Sequence, residues 1–186
     1  MWKVGFLTAS SLSLRFTAPL HARLPAQRFS AQARYGPEHF QETEYAYHIK
    51  APFAGSCVDV ISATTGLSAD VSKHLLEIGA VYHQQRSSPK AYRTVSNDIV
   101  QSGEYLRVHH KPRMFDTSHI DWSAAVVAET EHYLVCHKPA GLPIHANVDN
   151  LYENVVTMLQ KELGLENLHP SHRLDTDTSG IVVLAK

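Results

Sequence analysis

The chain has 186 residues, of which 44% are hydrophobic and 19% are charged; this balance is typical of globular proteins and excludes a mainly disordered chain. No apolar run approaches the roughly 20 residues that a membrane-spanning helix needs, so we expect no membrane partner. Cys57 and Cys136 lie far apart and lack metal-ligand spacing, which predicts reduced thiols rather than a disulfide framework. The net charge of −1 predicts no polyanion partner by itself, but residues 71–113 carry a local excess of basic residues.

The first 37 residues contain five Lys or Arg residues and no acidic residue, together with scattered serines and three prolines. A basic, hydroxyl-rich segment without acids is typical of an organelle transit peptide, which we expect over residues 1–40. The alternative is a disordered N-terminal tail. A transit peptide predicts a chloroplast or mitochondrial location, whereas a tail leaves the cytoplasm or nucleus open.

A compact α+β unit is predicted over residues 59–113. Ser68 is the expected N-cap of a helix that carries apolar residues at helical spacing and stops at Gly79. Three short strands follow, "AVYHQQ", "AYRTV" and "GEYLRVHH", with the turn "RSSPK" between the first two. Apolar and polar residues alternate in the third strand, so one of its faces is expected to consist of Tyr105, Arg107 and His109.

This order of a helix and a basic hairpin resembles the second half of the small S-four-type RNA-binding domain, in which a helix and the following hairpin grip an RNA backbone. The usual Asn-Gly after the first strand is replaced by Gln84-Gln85, and the usual arginine-rich first helix is missing. The resemblance implies RNA backbone contacts by Arg86, Lys90 and Arg93, each of which would add salt-dependent binding. The alternative is a solvated basic hairpin face.

A second α+β unit is predicted over residues 122–186, after the linker "HKPRMFDTSHIDW". Its helix lies in "DNLYENVVTMLQKELG", where Asn150 is the expected cap, Glu153 completes a capping box and Gly164 ends the helix. The segments "YLVC" and "GIVVLAK" are apolar throughout, which predicts interior strands covered on both faces.

The segment "HRLDTDTSGIVVLAK", residues 172–186, closely resembles the signature of RluA-type pseudouridine synthases: HRLD, two variable residues, TSG and an apolar strand. Upstream, "YLVCHKPAGLPIHAN" resembles that family's strand and KPxGL loop. The resemblance covers residues 125–186 and implies the first part of a pseudouridine synthase catalytic domain, with a mixed, mainly antiparallel sheet and flanking helices. In the family a base-stacking tyrosine and a basic partner of the catalytic aspartate follow later, so we expect the chain to be an incomplete fragment.

Carried over by position, the resemblance implies that Asp175 is catalytic, as a nucleophile or as a base. Arg173 matches the arginine that helps to hold the target base out of its helix. Asp177 occupies a variable position and is expected to be an exposed turn residue. Lys138 is expected to support the site or to contact an RNA phosphate. Supporting roles are also implied for the residues that orient and shape the loop, His172, Thr178, Ser179 and Gly180.

The predicted function is therefore that of an RNA pseudouridine synthase, a monomer without a cofactor that isomerises uridine in structured ribosomal or transfer RNA. The alternative is a non-catalytic RNA-binding protein that retains the motif. A metal site is not expected, because Pro170 prevents a regular helix between His169 and His172 and no Cys or HExxH ligand pattern accompanies them.

Overall fold

The computed structural model describes residues 35–186, which form two α+β units with separate hydrophobic cores. We call residues 35–110 the N-terminal unit, residues 122–186 the C-terminal unit and residues 111–121 the linker; Phe115 and Ile120 of the linker pack against the second core. The transit peptide expected over residues 1–40 lies outside the described residues except for its last six positions. Among the described helices, none has the length and apolar character needed to cross a membrane.

The N-terminal unit is built on a five-stranded antiparallel sheet with two helices on one face. Its helices are α1 (Cys57–Thr65) and α2 (Ala69–Glu77). The five strands are β1 (Phe40–Glu42), β2 (Tyr47–Lys50), β4 (Val81–Gln84), β5 (Tyr92–Thr94) and β7 (Tyr105–Val108), in the order β1-β2-β7-β4-β5. A separate antiparallel pair is formed by β3 (Gly55–Ser56) and β6 (Ile99–Val100).

The helix signals in this unit are confirmed. The Ser68 side chain accepts the amide hydrogen of Val71 and caps α2. Gly79 follows the helix with a φ of 77°, in the left-handed region that favours glycine. A Cβ atom at Gly79 would also lie 2.8 Å from Cβ of Leu151 in the other unit, so the close approach of the two units requires glycine here.

The folded unit begins earlier than the predicted boundary at residue 59. Tyr47 and Ile49 of β2 are buried in the same core as the helices. Strand β2 pairs with β7, which lies far away in sequence, and aligns Tyr47 with Val108. Local sequence patterns cannot predict such a pairing, because the pattern of each strand indicates a strand but not its partner.

The C-terminal unit has a four-stranded antiparallel sheet in the order β10-β11-β9-β8. The strands are β8 (Val126–Glu129), β9 (Tyr133–Lys138), β10 (His169–Pro170) and β11 (Gly180–Ala185), and the helices are α3 (Trp122–Ala125) and α4 (Val155–Leu163). The prediction that "YLVC" and "GIVVLAK" form interior strands is confirmed, but the predicted cover on both faces is wrong for the described residues. Within the described residues only one face of these strands is covered, since Tyr133 and Ile181 are 51% and 49% exposed.

Helix α4 starts later than predicted and has Asn154, not Asn150, as its N-cap. The Asn150 side-chain oxygen accepts the amide hydrogens of Tyr152 and Glu153 in a separate turn. The buried Glu153 carboxylate accepts the amide hydrogen of Phe115 at 2.6 Å, so it serves a tertiary contact instead of a capping box. The predicted end at Gly164 is confirmed by its left-handed conformation, with a φ of 66°.

The two units meet at a junction formed by residues 147–151. The Leu151 amide donates a hydrogen bond to the carbonyl of Ile78, at the end of α2, over 2.9 Å. The Arg93 guanidinium of β5 donates to the carbonyl of Asn147. The hairpin of the N-terminal unit is therefore attached directly to the segment that precedes α4.

The same segment anchors the linker. Arg113 forms a two-pronged contact with Asp149, in which Nε lies 3.0 Å from Oδ2 and Nη2 lies 2.8 Å from Oδ1. Burial alone would raise the pKa of Asp149, but the hydrogen bonds from Arg113 outweigh it and hold that pKa below its ordinary value.

Candidate active site

The predicted motif lies in a loop that we call the motif loop, residues 171–179, between β10 and β11. Strand β11 pairs with β9 so that Gly180 aligns with Lys138. The start of β11 therefore meets the end of β9, where the KPAGL loop, residues 138–142, begins. Two sequence motifs that lie about 30 residues apart are thus neighbours because antiparallel pairing brings the end of one strand to the start of its partner.

Lys138 ties the two loops together from below. Its side chain is 0% exposed, and Nζ donates hydrogen bonds to the carbonyls of Pro139 at 3.0 Å, Thr176 at 2.9 Å and Thr178 at 2.7 Å. An ammonium group has three donors, and all three are used. A direct contact with an RNA phosphate, one of the two expectations for this residue, is incompatible with such complete burial.

Burial is the largest influence on the pKa of Lys138. Removal from water lowers the pKa of its ammonium, while the carboxylates of Asp177 and Asp175 act in the opposite direction. The positive charge under the motif loop and the negative charges on it therefore attract each other.

Backbone hydrogen bonds complete the attachment of the motif loop. The Gly141 amide of the KPAGL loop donates to the Thr176 carbonyl at 2.9 Å, and the Thr178 amide donates to the Asp175 carbonyl at 3.1 Å. The second contact closes a tight turn that starts at Asp175. The position of the Asp175 backbone is therefore fixed by the turn, and the turn is fixed by both Lys138 and the KPAGL loop.

Leu174 and Gly180 orient the side chains of the loop. Leu174 packs against the second core, so its neighbours Arg173 and Asp175 point away and are exposed. Gly180 has a φ of 152°, and a Cβ atom there would lie 3.2 Å from Cδ1 of Leu174. A larger residue at Gly180 would thus push against the side chain that anchors the loop.

The remaining motif residues lie around this turn. The ring Nε2 atom of His172 accepts the Val183 amide hydrogen at 3.2 Å, which extends the pairing of β10 with β11. Ser179 is exposed, and so is His169 in β10. Among residues 35–186, no three His, Cys, Asp or Glu side chains are grouped in a way that could hold a metal ion.

The arrangement presents an accessible carboxylate next to an accessible guanidinium on a firmly held loop. A carboxylate in this position can attack an electrophilic carbon or accept a proton. A guanidinium can contact a phosphate group through two parallel hydrogen bonds. Both groups are supplied by residues that the sequence motif singles out, Asp175 and Arg173.

The basic residues of the β4–β5 hairpin are placed in different surroundings. Arg86 and Lys90 are exposed, and the Arg86 guanidinium donates to the Ser102 carbonyl. Arg93 instead points into the junction, where it donates to the Tyr82 hydroxyl at 2.8 Å in addition to the Asn147 carbonyl. Two of the three residues predicted to contact an RNA backbone, Arg86 and Lys90, therefore lie at the surface, whereas the third, Arg93, is hydrogen-bonded to protein groups.

A buried acid, Glu104, supports this hairpin and was not expected from the sequence. Its carboxylate accepts hydrogen bonds from the amides of Gln101 and Arg86 and lies 2.8 Å from Nε2 of His83. Burial alone would raise the pKa of Glu104, but these hydrogen bonds lower it below its ordinary value. No local pattern marks the residue, because two of its partners are 18 and 21 positions away.

Comparison with known proteins agrees with the position of the motif. Residues 132–186 match the family model described as RNA pseudouridylate synthase. The chain is 38% identical to "RNA pseudouridine synthase 6, chloroplastic" of Oryza sativa subsp. japonica over 104 residues, which are 54% of this chain and 22% of the rice protein. It is 32% identical to "Ribosomal large subunit pseudouridine synthase D" of Zymomonas mobilis over 137 residues, 67% of this chain and 41% of the relative.

A third relative is "tRNA pseudouridine(32) synthase, mitochondrial" of Saccharomyces cerevisiae, 28% identical over 130 residues that are 61% of this chain and 27% of the yeast protein. This chain thus covers less than half of the length of each of these three relatives. The region that carries the motif loop, residues 132–186, belongs to the RNA pseudouridine synthase family, of the RluA type.

Proposed function

We propose that this protein converts uridine to pseudouridine in ribosomal or transfer RNA, with Asp175 as the catalytic residue. The single observation that carries the proposal is the motif loop, on which an exposed Asp175 is held by a turn that Lys138 and Gly141 attach to the KPAGL loop. The names of the relatives support the same activity, and none of the three describes a non-catalytic protein.

The proposed reaction is an isomerisation. The bond between the ribose anomeric carbon and a ring nitrogen of uracil breaks, the base rotates, and a bond forms between the same ribose carbon and a ring carbon. A proton leaves that ring carbon and the freed nitrogen gains one, so the reaction needs neither oxidant nor cofactor. Asp175 is suited to stabilise or attack the anomeric carbon, or to remove a proton, and Arg173 to hold the flipped nucleotide.

Deletion of the gene in the organism that makes the protein tests this proposal. We expect pseudouridine to disappear from defined uridines of ribosomal or transfer RNA, and to return when the wild-type gene is restored. A pseudouridine map that is the same before and after deletion would contradict the proposed activity. Because the map covers every RNA of the cell, the target RNA does not have to be chosen in advance.

We further propose that the N-terminal unit contributes RNA binding in the manner of S-four-type domains. The exposed Arg86 and Lys90 at the hairpin support this proposal, since each phosphate contact strengthens binding at low salt. Because the hairpin is attached to residues 147–151 through the junction, RNA held there would keep a fixed orientation relative to the motif loop. Charge reversal at Arg86 and Lys90 together should weaken RNA binding and reduce its salt dependence, and unchanged binding would contradict the proposal.

We also propose that the protein acts in an organelle and that residues 1–37 direct it there. Two observations support this: five basic residues without an acid in this segment, and relatives named as chloroplastic and mitochondrial. N-terminal sequencing of the mature protein should find a start well after Met1. A mature protein that begins at Met1 would argue against an organelle address in this segment.

A further inference from the structure

The five-stranded sheet of the N-terminal unit has one face that is not covered by its helices. In β7, Leu106 and Val108 are fully buried against α1 and α2, whereas Arg107 between them is only half-buried. The same alternation holds in β2, where Ile49 is buried and Lys50 is exposed. An antiparallel sheet of this kind has one core face and one face that is open to a partner.

The open face is basic and aromatic. Its strand positions outside the junction are occupied by the following residues, none of which is acidic: Gln41, His48, Lys50, Tyr82, Gln84, Tyr105 and Arg107. A continuous row crosses three of the strands, because His48 aligns with Arg107 and Arg107 with Tyr82. Tyr82 aligns in turn with Arg93, which contacts the junction and ends the open part of the row. The Arg107 guanidinium lies 4.5 Å from the centre of the Tyr82 ring, which keeps it on this face.

One end of the open face forms a shallow hollow. Its lining includes His39, His48, Lys50 and Tyr105. The Tyr105 hydroxyl lies 2.6 Å from Nδ1 of His48, and the two rings are stacked with centroids 6.0 Å apart. The pair therefore presents an ordered aromatic surface beside an exposed ammonium. Glu38 at the rim is the acidic member of the lining.

We propose that this open face is an RNA-binding surface that takes single-stranded RNA, with bases stacked on Tyr105 and His48 and phosphates near Lys50 and Arg107. Aromatic rings beside cations are the combination by which proteins hold single strands without reading their sequence. The basic N-terminal segment, with five Lys or Arg residues and no acid before Glu38, has the wrong charge to cover this face. A polyanion is complementary to it.

This surface is separate from the hairpin residues Arg86 and Lys90 and from the motif loop. It rests on the proposed function only in that the protein acts on RNA. Its role would be to hold a strand that leaves the modified site, since the junction fixes the N-terminal unit to residues 147–151. The pseudouridine map would then test the motif loop, and the RNA-binding measurement would test the open face.

The test measures binding of the purified full chain to a fluorescein-labelled oligouridylate of about 12 nucleotides, long enough to cross the face. Tyr105→Leu should weaken binding about tenfold, because it removes a stacking platform, whereas Tyr105→Phe keeps the ring and should stay within about twofold. The double variant Lys50→Gln/Arg107→Gln should lower the slope of log Kd against log salt by about 2, one for each lost phosphate contact.

Two further variants test whether removal of a negative charge strengthens RNA binding and whether removal of a distant positive charge leaves it unchanged. Glu38→Gln removes the acid at the rim and should strengthen binding, and Lys161→Gln removes an exposed cation of α4 and should leave binding unchanged. Protection of the Leu106 amide from hydrogen exchange shows that each variant keeps its sheet. Equal affinity of wild type and the Tyr105 and Lys50/Arg107 variants, or no binding by any of them, overturns the inference. Neither result affects the deletion test of pseudouridine formation.

Discussion

The two units each hold a loop in place with one buried ionisable side chain, but the charge of this side chain is negative in the N-terminal unit and positive in the C-terminal unit. This side chain, which is hydrogen-bonded to backbone groups, is Glu104 in the N-terminal unit and Lys138 in the C-terminal unit; the two are 7% and 0% exposed. Glu104 accepts amide hydrogens from Arg86, in the turn after β4, and from Gln101, between β6 and β7. Lys138 donates to carbonyls of the KPAGL loop and the motif loop.

The difference lies in how the charge is balanced. Glu104 also contacts His83, and its contacts hold its pKa below the ordinary value despite burial. The hydrogen-bond partners of the Lys138 ammonium are neutral carbonyls, so burial prevails over the attraction of Asp177 and Asp175 and lowers its pKa. The ammonium of Lys138 is thus kept at a cost in free energy, and the exposed Asp175 and Asp177 offset part of this cost. A charge retained at a cost in free energy beneath the motif loop is what we expect of a residue that positions this loop.

The largest effect is expected from Lys138→Met. The variant keeps the length of the side chain but leaves the carbonyls of Pro139 and Thr178 without this donor, which should lower the free energy of unfolding by about 3 kcal/mol. The motif loop would shift, and pseudouridine formation should fall about 100-fold. Hydrogen exchange at the Gly141 and Thr178 amides measures the loss of loop order.

Lys161→Met is the matched control for this variant, because Lys161 is an exposed lysine of the same unit. It should change the free energy of unfolding by less than about 0.5 kcal/mol. If Lys138→Met unfolds and exchanges like Lys161→Met, the buried ammonium does not hold the loops together.

A smaller effect is expected from Glu104→Gln, which should lower the free energy of unfolding by about 2 kcal/mol near neutral pH. Because the folded pKa of Glu104 is depressed below its ordinary value of 4.5, its stabilisation is fully present above that value and is lost as the pH falls through the folded pKa. The deficit of the variant should therefore shrink between about pH 7 and about pH 3 in urea unfolding. Glu77→Gln, at an exposed ion pair with Lys73, should show no deficit at either pH.

The smallest effect is expected from Asp149→Asn at the linker. The amide keeps one acceptor but loses part of the two-pronged contact with Arg113, for an expected loss of about 1 kcal/mol. Exchange of the Leu151 amide, which is bonded to Ile78 across the junction, should become faster. Glu166→Gln, at an exposed position, is the control. If the Leu151 amide exchanges equally fast in both variants, the contact between Asp149 and Arg113 does not stabilise the junction.

Sequence patterns predicted most of the local structure. The cap at Ser68, the helix ends at Gly79 and Gly164 and the interior strands all depend on residues within a few positions of one another. Helix α1 was not predicted, although its signals at Ser56 and Gly66 are local. The other errors involve distant partners. Helix α4 starts late because Glu153 is drawn to the amide of Phe115, 38 positions away.

The same reason limits what the motif could show. The residue types of "HRLDTDTSG" suffice to find the loop and its likeness to a family, but the role of Lys138 depends on the register that aligns it with Gly180. Arg93 looked like its neighbours Arg86 and Lys90 in sequence, yet the junction uses its guanidinium. Burial and partners are set by tertiary packing, which composition and periodicity do not encode.

The most direct test of the catalytic assignment compares Asp175→Asn with Asp177→Asn in cells that carry no other copy of the gene. Both aspartates are exposed and lie on the same motif loop, so the two variants lose the same charge in nearly the same place. We predict that Asp175→Asn loses pseudouridine at every site that depends on the protein, while Asp177→Asn keeps it. Modification that persists with Asp175→Asn would show that another group performs the chemistry.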